Sequence, residues 1–114
     1  MTEDQYRKII TDEVQKKIID EFATIISEKI TLKKMVIKGF LWQALRKWQE
    51  THEMTILETE KGGGSSPEER IKQASEILDI CFNEMRYSVK SEVEALKTGI
   101  DEAIQHYTRN YAER

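Results

Sequence analysis

Two histidines, one cysteine and 21 acidic residues are the groups in this 114-residue chain that could do acid–base, nucleophilic or metal chemistry. Their spacing offers little. A zinc protease needs two histidines one helical turn apart with a glutamate between them, and a di-iron bundle needs Glu-x-x-His pairs. His52-Glu53 and Glu102…His106 make neither pattern, and each supplies a single ligand at best. Cys81 falls on an apolar helical stripe, the place of a core thiol rather than a nucleophile, and a lone cysteine forms no internal disulfide and no cysteine zinc cluster. Gly62–Gly64 precede a helix but lack the lysine and the strand of a phosphate-binding loop. No cofactor and no metal is expected.

One short motif points the other way. Arg46-Lys-Trp-Gln-Glu-Thr-His52 resembles the arginine-to-histidine spacing of HEPN-type helical RNases. The resemblance implies Arg46 and His52 acting on RNA from a helix end in a dimer. It covers seven residues, and Lys47 stands where that family favours a small polar side chain. A net charge of −3 also disfavours nucleic acid, whose phosphates select basic surfaces.

The elements that must carry these residues are helices. The chain has one proline and five glycines, so most of it is uninterrupted, and its 34% charged and 39% apolar content suits a small helical protein with a large solvated surface. No apolar run approaches the length of a membrane span. MTEDQYRK at the start is acidic and polar, unlike a secretory leader, and the expected compartment is the cytoplasm.

Residues 2 to about 29 predict a first helix. Thr2 is the candidate cap, Glu3 and Asp4 suit the helix dipole, and Val14, Ile18, Phe22, Ile25 and Ile26 share one face. The stripe rotates by about 120° near Ile30–Lys34. Either the helix breaks there, with Thr31 capping a second helix over about 31–53, or one continuous helix turns its two halves toward different partners.

The second segment, Ile30 to Trp48, holds both tryptophans. Lys29, Lys33, Lys34, Lys38, Arg46 and Lys47 give this region six positive charges and no acid, leaving 12 basic against 21 acidic residues elsewhere. Its apolar arc, centred on Ile37, Leu41, Ala44, Leu45 and Trp48, spans about 220°, so it must touch neighbours on two or three sides. It is either the inner helix of a bundle, its lysines meeting acids on flanking helices, or a docking helix for an acidic partner or an anionic membrane. Lys33, Lys34, Lys38, Trp42 and Lys47 are the docking candidates, with a protein favoured over a membrane because Gly39, Gln43 and Glu50 occupy the side opposite the apolar arc.

Met54–Leu57 form an apolar island. Residues 61–66 read as a Gly/Ser linker, a pattern shared with engineered joints. Ser66 as cap, Pro67 at the first helical position and Glu69 completing a capping box then start a helix. One apolar stripe continues in phase from Ile71 to Tyr111, predicting a single straight helix over 67–114, with Glu92 near its centre in need of a basic mate. Ile77, Ile80 and Tyr87 lie off the stripe as a second contact surface.

The expected architecture is all-α: a helical bundle or long antiparallel hairpin, one domain, two shorter helices packed on one long C-terminal helix. A folded-back pair is too short to cover the long helix, so Ile100, Tyr107 and Tyr111 are expected to meet a second copy of the chain, as a homodimer or higher species, or a heterologous helix. The expected function is non-catalytic protein–protein interaction, as an adaptor, assembly subunit or regulator.

Overall fold

A computed structural model of the protein describes residues 3–52 and 66–112. The candidate cap Thr2, the island Met54–Leu57 and the linker up to Ser65 lie outside the described residues, as do the side chains of Glu3, Asp4 and His52. Among the described residues there are four α-helices and no strand: α1 (Glu3–Ser27), α2 (Lys34–His52), α3 (Pro67–Met85) and α4 (Val93–Tyr107). The expected all-α bundle is what forms. The helices close a ring in chain order, α1 lying beside α2 and α4, and α3 beside α2 and α4. This is the up-and-down bundle topology, in which each helix turns one apolar stripe toward a shared axis.

The first break falls where the stripe rotates. α1 ends at Ser27 and α2 starts at Lys34, so residues 3–52 are two helices rather than one. No glycine or proline forces the turn. Ile30 stays buried within the turn, at 6% exposure. Thr31 is not the cap that the sequence suggested. The first bonds of α2 run from Val36 N and Ile37 N to Lys33 O, at 3.0 and 3.1 Å. Thr31 binds Glu92 instead, its backbone N–H donating to Oε2 at 3.0 Å and its hydroxyl to Oε1 at 2.6 Å. The mate of Glu92 is therefore a backbone amide and a hydroxyl, not a base on the second helix.

α3 starts as its cap predicts: Ser66 Oγ accepts from Glu69 N at 3.2 Å with Pro67 in the first turn. It does not run to the chain end. The single helix over 67–114 is corrected to two helices, parted at 86–92 by a capping bond from Arg86 N to Phe82 O, a turn closed from Ser88 N to Met85 O at 2.8 Å, and a 3₁₀ turn over Lys90–Glu92. Ser88, Val89 and Ser91 are poor helix formers, so the break is cheap locally. Val89 then plugs the turn from inside, 4% exposed. Folding back buries Leu96, Ile100, Ala103 and Tyr107 against the chain's own helices. The cover expected from a second copy is thus provided internally.

The core is layered along the axis from Ile18, Phe22 and Ile26 of α1 through Ile37, Leu41 and Leu45 of α2 to Leu78 of α3 and Leu96 of α4. Gly99 sets the spacing of α1 and α4. A Cβ at this position would stand 3.3 Å from Ile26 Cα, a backbone atom that cannot swing aside, so glycine lets the two helices approach closely.

Candidate functional site

The basic segment is mostly engaged within the bundle. Asp20 on α1 receives Lys34 Nζ at 3.0 Å and Lys38 Nζ at 3.3 Å. Those two hydrogen bonds, Lys34 first, hold the Asp20 carboxyl below its ordinary value. Lys47 pairs with Glu84 on α3, and Lys29 reaches Glu102 on α4 at 3.1 Å. Trp48 is buried and its indole N–H donates to Glu76 Oε2 at 2.7 Å, while Trp42 is half-buried against the core. Lysines flanking the arc thus meet acids on three different neighbours, the arrangement an inner helix needs. Lys33 is exposed and has no ion-pair partner among the described residues.

The other expected contact residues separate. Ile77, Ile100 and Tyr107 are corrected to core positions, at 0%, 5% and 0% exposure, because the fold-back turns their stripe inward. Ile80 and Tyr111 are half-buried against the same core. Tyr87 alone of that set stands out, 68% exposed.

Two arrangements remain as candidate sites. The first is a polar clasp between α1 and the end of α4. Glu21 accepts from the Tyr111 hydroxyl at 2.9 Å through both carboxylate oxygens and lies 2.6 Å from His106 Nε2. His106 Nδ1 faces Asn110 Nδ2 at 3.1 Å, and the same amide donates to His106 O at 2.9 Å. A neutral imidazole with its proton on Nε2 satisfies every one of these contacts. Both ring nitrogens are then occupied, as is the carboxylate, so no free base or ligand is left over. A π-type turn over Thr108–Ala112 brings Tyr111 round to stack on Tyr107, ring centroids 5.5 Å apart. The clasp is a fastening. Tyr111→Phe should lower unfolding free energy by about 1–2 kcal/mol, since a hydroxyl bonded to a charged, half-buried carboxylate is lost; urea unfolding measures it. A change within 0.3 kcal/mol or so would show that Glu21 is held by His106 alone.

Sequence reasoning missed the clasp for a definite reason. His106, Asn110 and Tyr111 share one helix end and could have been grouped by their four- and five-residue spacing. Glu21 is 85 residues from His106, and nothing local marks it.

The second arrangement is the end of the bundle where both short turns meet, joined by the Thr31–Glu92 bonds. Met35 is 83% exposed, Tyr87 68% and Val36 44%, the large exposed apolar side chains among the described residues. The Arg86 guanidinium lies 5.2 Å from the centroid of the Tyr87 ring. Lys33, Arg86 and Lys90 have no ion-pair partner among the described residues, and all three are exposed at this end. Glu28 and Glu94 are the exposed acids nearest in sequence, and the Glu92 carboxylate, bonded by the neutral Thr31 groups, lies at the same end.

Among the described residues no group of three or more histidine, cysteine, aspartate or glutamate side chains could hold a metal. No described helix is long and apolar enough to cross a membrane. Arg46 of the HEPN-like motif is exposed near the end of α2, and the side chain of its counterpart His52 lies outside the described residues. No family model, curated protein sequence or solved structure matches the chain.

Proposed function

We propose that this protein is a non-catalytic helical interaction module that docks a protein partner on its turn end. The observation that carries this reading is the joint exposure of Met35, Val36 and Tyr87 at one end of a bundle whose other stripes are closed. Single exposed apolar residues are ordinary, but three large ones beside two turns joined through Thr31 and Glu92 call for a cover. Methionine adapts to varied surfaces, and tyrosine with arginine is the pairing enriched at the energetic centres of interfaces. His106, by contrast, has both ring nitrogens engaged in the clasp.

A photo-crosslinking residue at Met35, with another at exposed Asp101 on α4 as control, tests this in cells. Discrete protein adducts are expected from Met35 and not from Asp101. Tyr87→Glu should remove them, and alanine at His106 should leave them. Identical patterns from the two positions, or adducts that survive Tyr87→Glu, would refute the reading.

A further inference from the structure

We infer that the clasp at the end of α4 is a proton-operated latch: a second proton on His106 releases Asn110 from the helix end, while Glu21 keeps its hold on the ring. A backbone carbonyl sets the arrangement. His106 O can only accept, and the Asn110 side chain lies 2.9 Å from it, so the amide must turn its nitrogen that way. The same nitrogen stands 3.1 Å from His106 Nδ1, which must then be bare and accepting. The single proton of the neutral ring is left for Nε2, 2.6 Å from the Glu21 carboxylate that accepts it. The clasp is therefore closed in one charge state of the imidazole and one tautomer.

A second proton turns Nδ1 into a donor that faces a donor. Turning the Asn110 amide over would bring its oxygen to Nδ1–H, but would also set that oxygen against His106 O. Either way the bond to the carbonyl is lost. Glu21 is not the group that yields, because a hydrogen bond between opposite charges is about twice as strong as a neutral one. The α1–α4 contact therefore tightens while the π-type turn over Thr108–Ala112, which stacks Tyr111 on Tyr107, loses its tie to α4. The charged groups around the ring supply no other acceptor for Nδ1–H among the described residues. α1 brings Glu21, already shared with the Tyr111 hydroxyl. Glu102, one turn earlier on α4, is taken by Lys29. Arg70 of α3 directs its charge at Tyr107, and Arg109 on the terminal turn is exposed; both are cations. α2 touches neither α4 nor the terminal turn.

Nitrogen and proton NMR of the full chain carrying His52→Gln, which leaves His106 as the one histidine, tests the latch. At about pH 8 the ring should show a bare Nδ1 and a protonated Nε2. On titration toward about pH 5, across the interval in which imidazoles commonly change charge, the Asn110 side-chain amide resonances should move in step with the ring. Asn110→Ala removes the group that opposes the second proton, so the proton affinity of the ring should rise about threefold or more. Asn83→Ala, at an exposed asparagine on α3, is the control and should leave the titration in place. A proton on Nδ1 at about pH 8 overturns the inference. So do Asn110 amide resonances that stay still while the ring titrates, or equal proton affinities with and without Asn110. Should Asn110→Ala fray the helix end, the tautomer and the Asn110 resonances of the His52→Gln chain still decide.

Discussion

Phe22→Ala is expected to remove about 3–5 kcal/mol of stability, the upper range for truncating one core side chain. The ring is fully buried and meets Tyr107 edge to face, centroids 6.2 Å apart with planes at 63°. Truncation forfeits the apolar transfer energy, leaves a cavity that rigid helices on both sides cannot close, and breaks the aromatic pair. The pair also joins α1 to α4. Small domains keep only about 5–15 kcal/mol in total, so the variant should unfold at markedly lower urea and melt about 10 °C or more below wild type. Met35→Ala serves as the comparison, because an 83% exposed side chain should change stability by about 0.5 kcal/mol at most. A Phe22→Ala loss under about 1 kcal/mol would mean that the α1–α4 packing described here is not the packing in solution.

Alkali should unfold the protein through two buried acids. Burial pushes the Cys81 thiol from its ordinary 9.0 up to about 12, with the Glu84 charge adding to the effect. Burial likewise raises the Tyr107 hydroxyl from 10.0 to about 12, against a smaller opposing influence of Arg70. The unfolded chain releases these protons near pH 9 and 10, while the folded chain holds them. Their stability contribution is fully present below pH 9 and is lost as pH rises toward 12, at about 1.4 kcal/mol per pH unit for each group once its unfolded form has ionised. Urea midpoints at pH 8, 10 and 11 should therefore fall with increasing steepness. Cys81→Ala and Tyr107→Phe should each flatten the slope, which separates their effect from the loss of lysine charge in the same range. Tyr107→Phe has a second expected signature. The hydroxyl is buried with no hydrogen-bond partner among the described residues, so its removal should be neutral or stabilising at pH 7. A midpoint constant from pH 8 to 11, or slopes unchanged in both variants, would contradict the burial of these groups.

The amino-acid sequence alone determined the helical class, the apolar faces, and two of the helix starts and stops. The rotation of the stripe near Ile30 marked where α1 and α2 could part, with one continuous helix still open, and Ser66-Pro67 located the start of α3, because caps and periodicity act within a few residues. It also indicated that the lysines of α2 could meet acids on flanking helices, as Lys34, Lys38 and Lys47 do. Only the tertiary structure decided the fold-back at 86–92. The seven residues from Arg86 to Glu92 span about two helical turns, so a stripe broken there resumes in the same phase. Periodicity cannot tell a rod from a hairpin under that condition. What chooses the hairpin is the burial of Leu96, Ile100, Ala103 and Tyr107 against α1, an energy that exists only once both helices are in place. The same long-range packing assigned Glu92 to Thr31 and Glu21 to His106 and Tyr111, and left Met35, Val36 and Tyr87 outside, because burial is a property of the assembled bundle and not of any one segment.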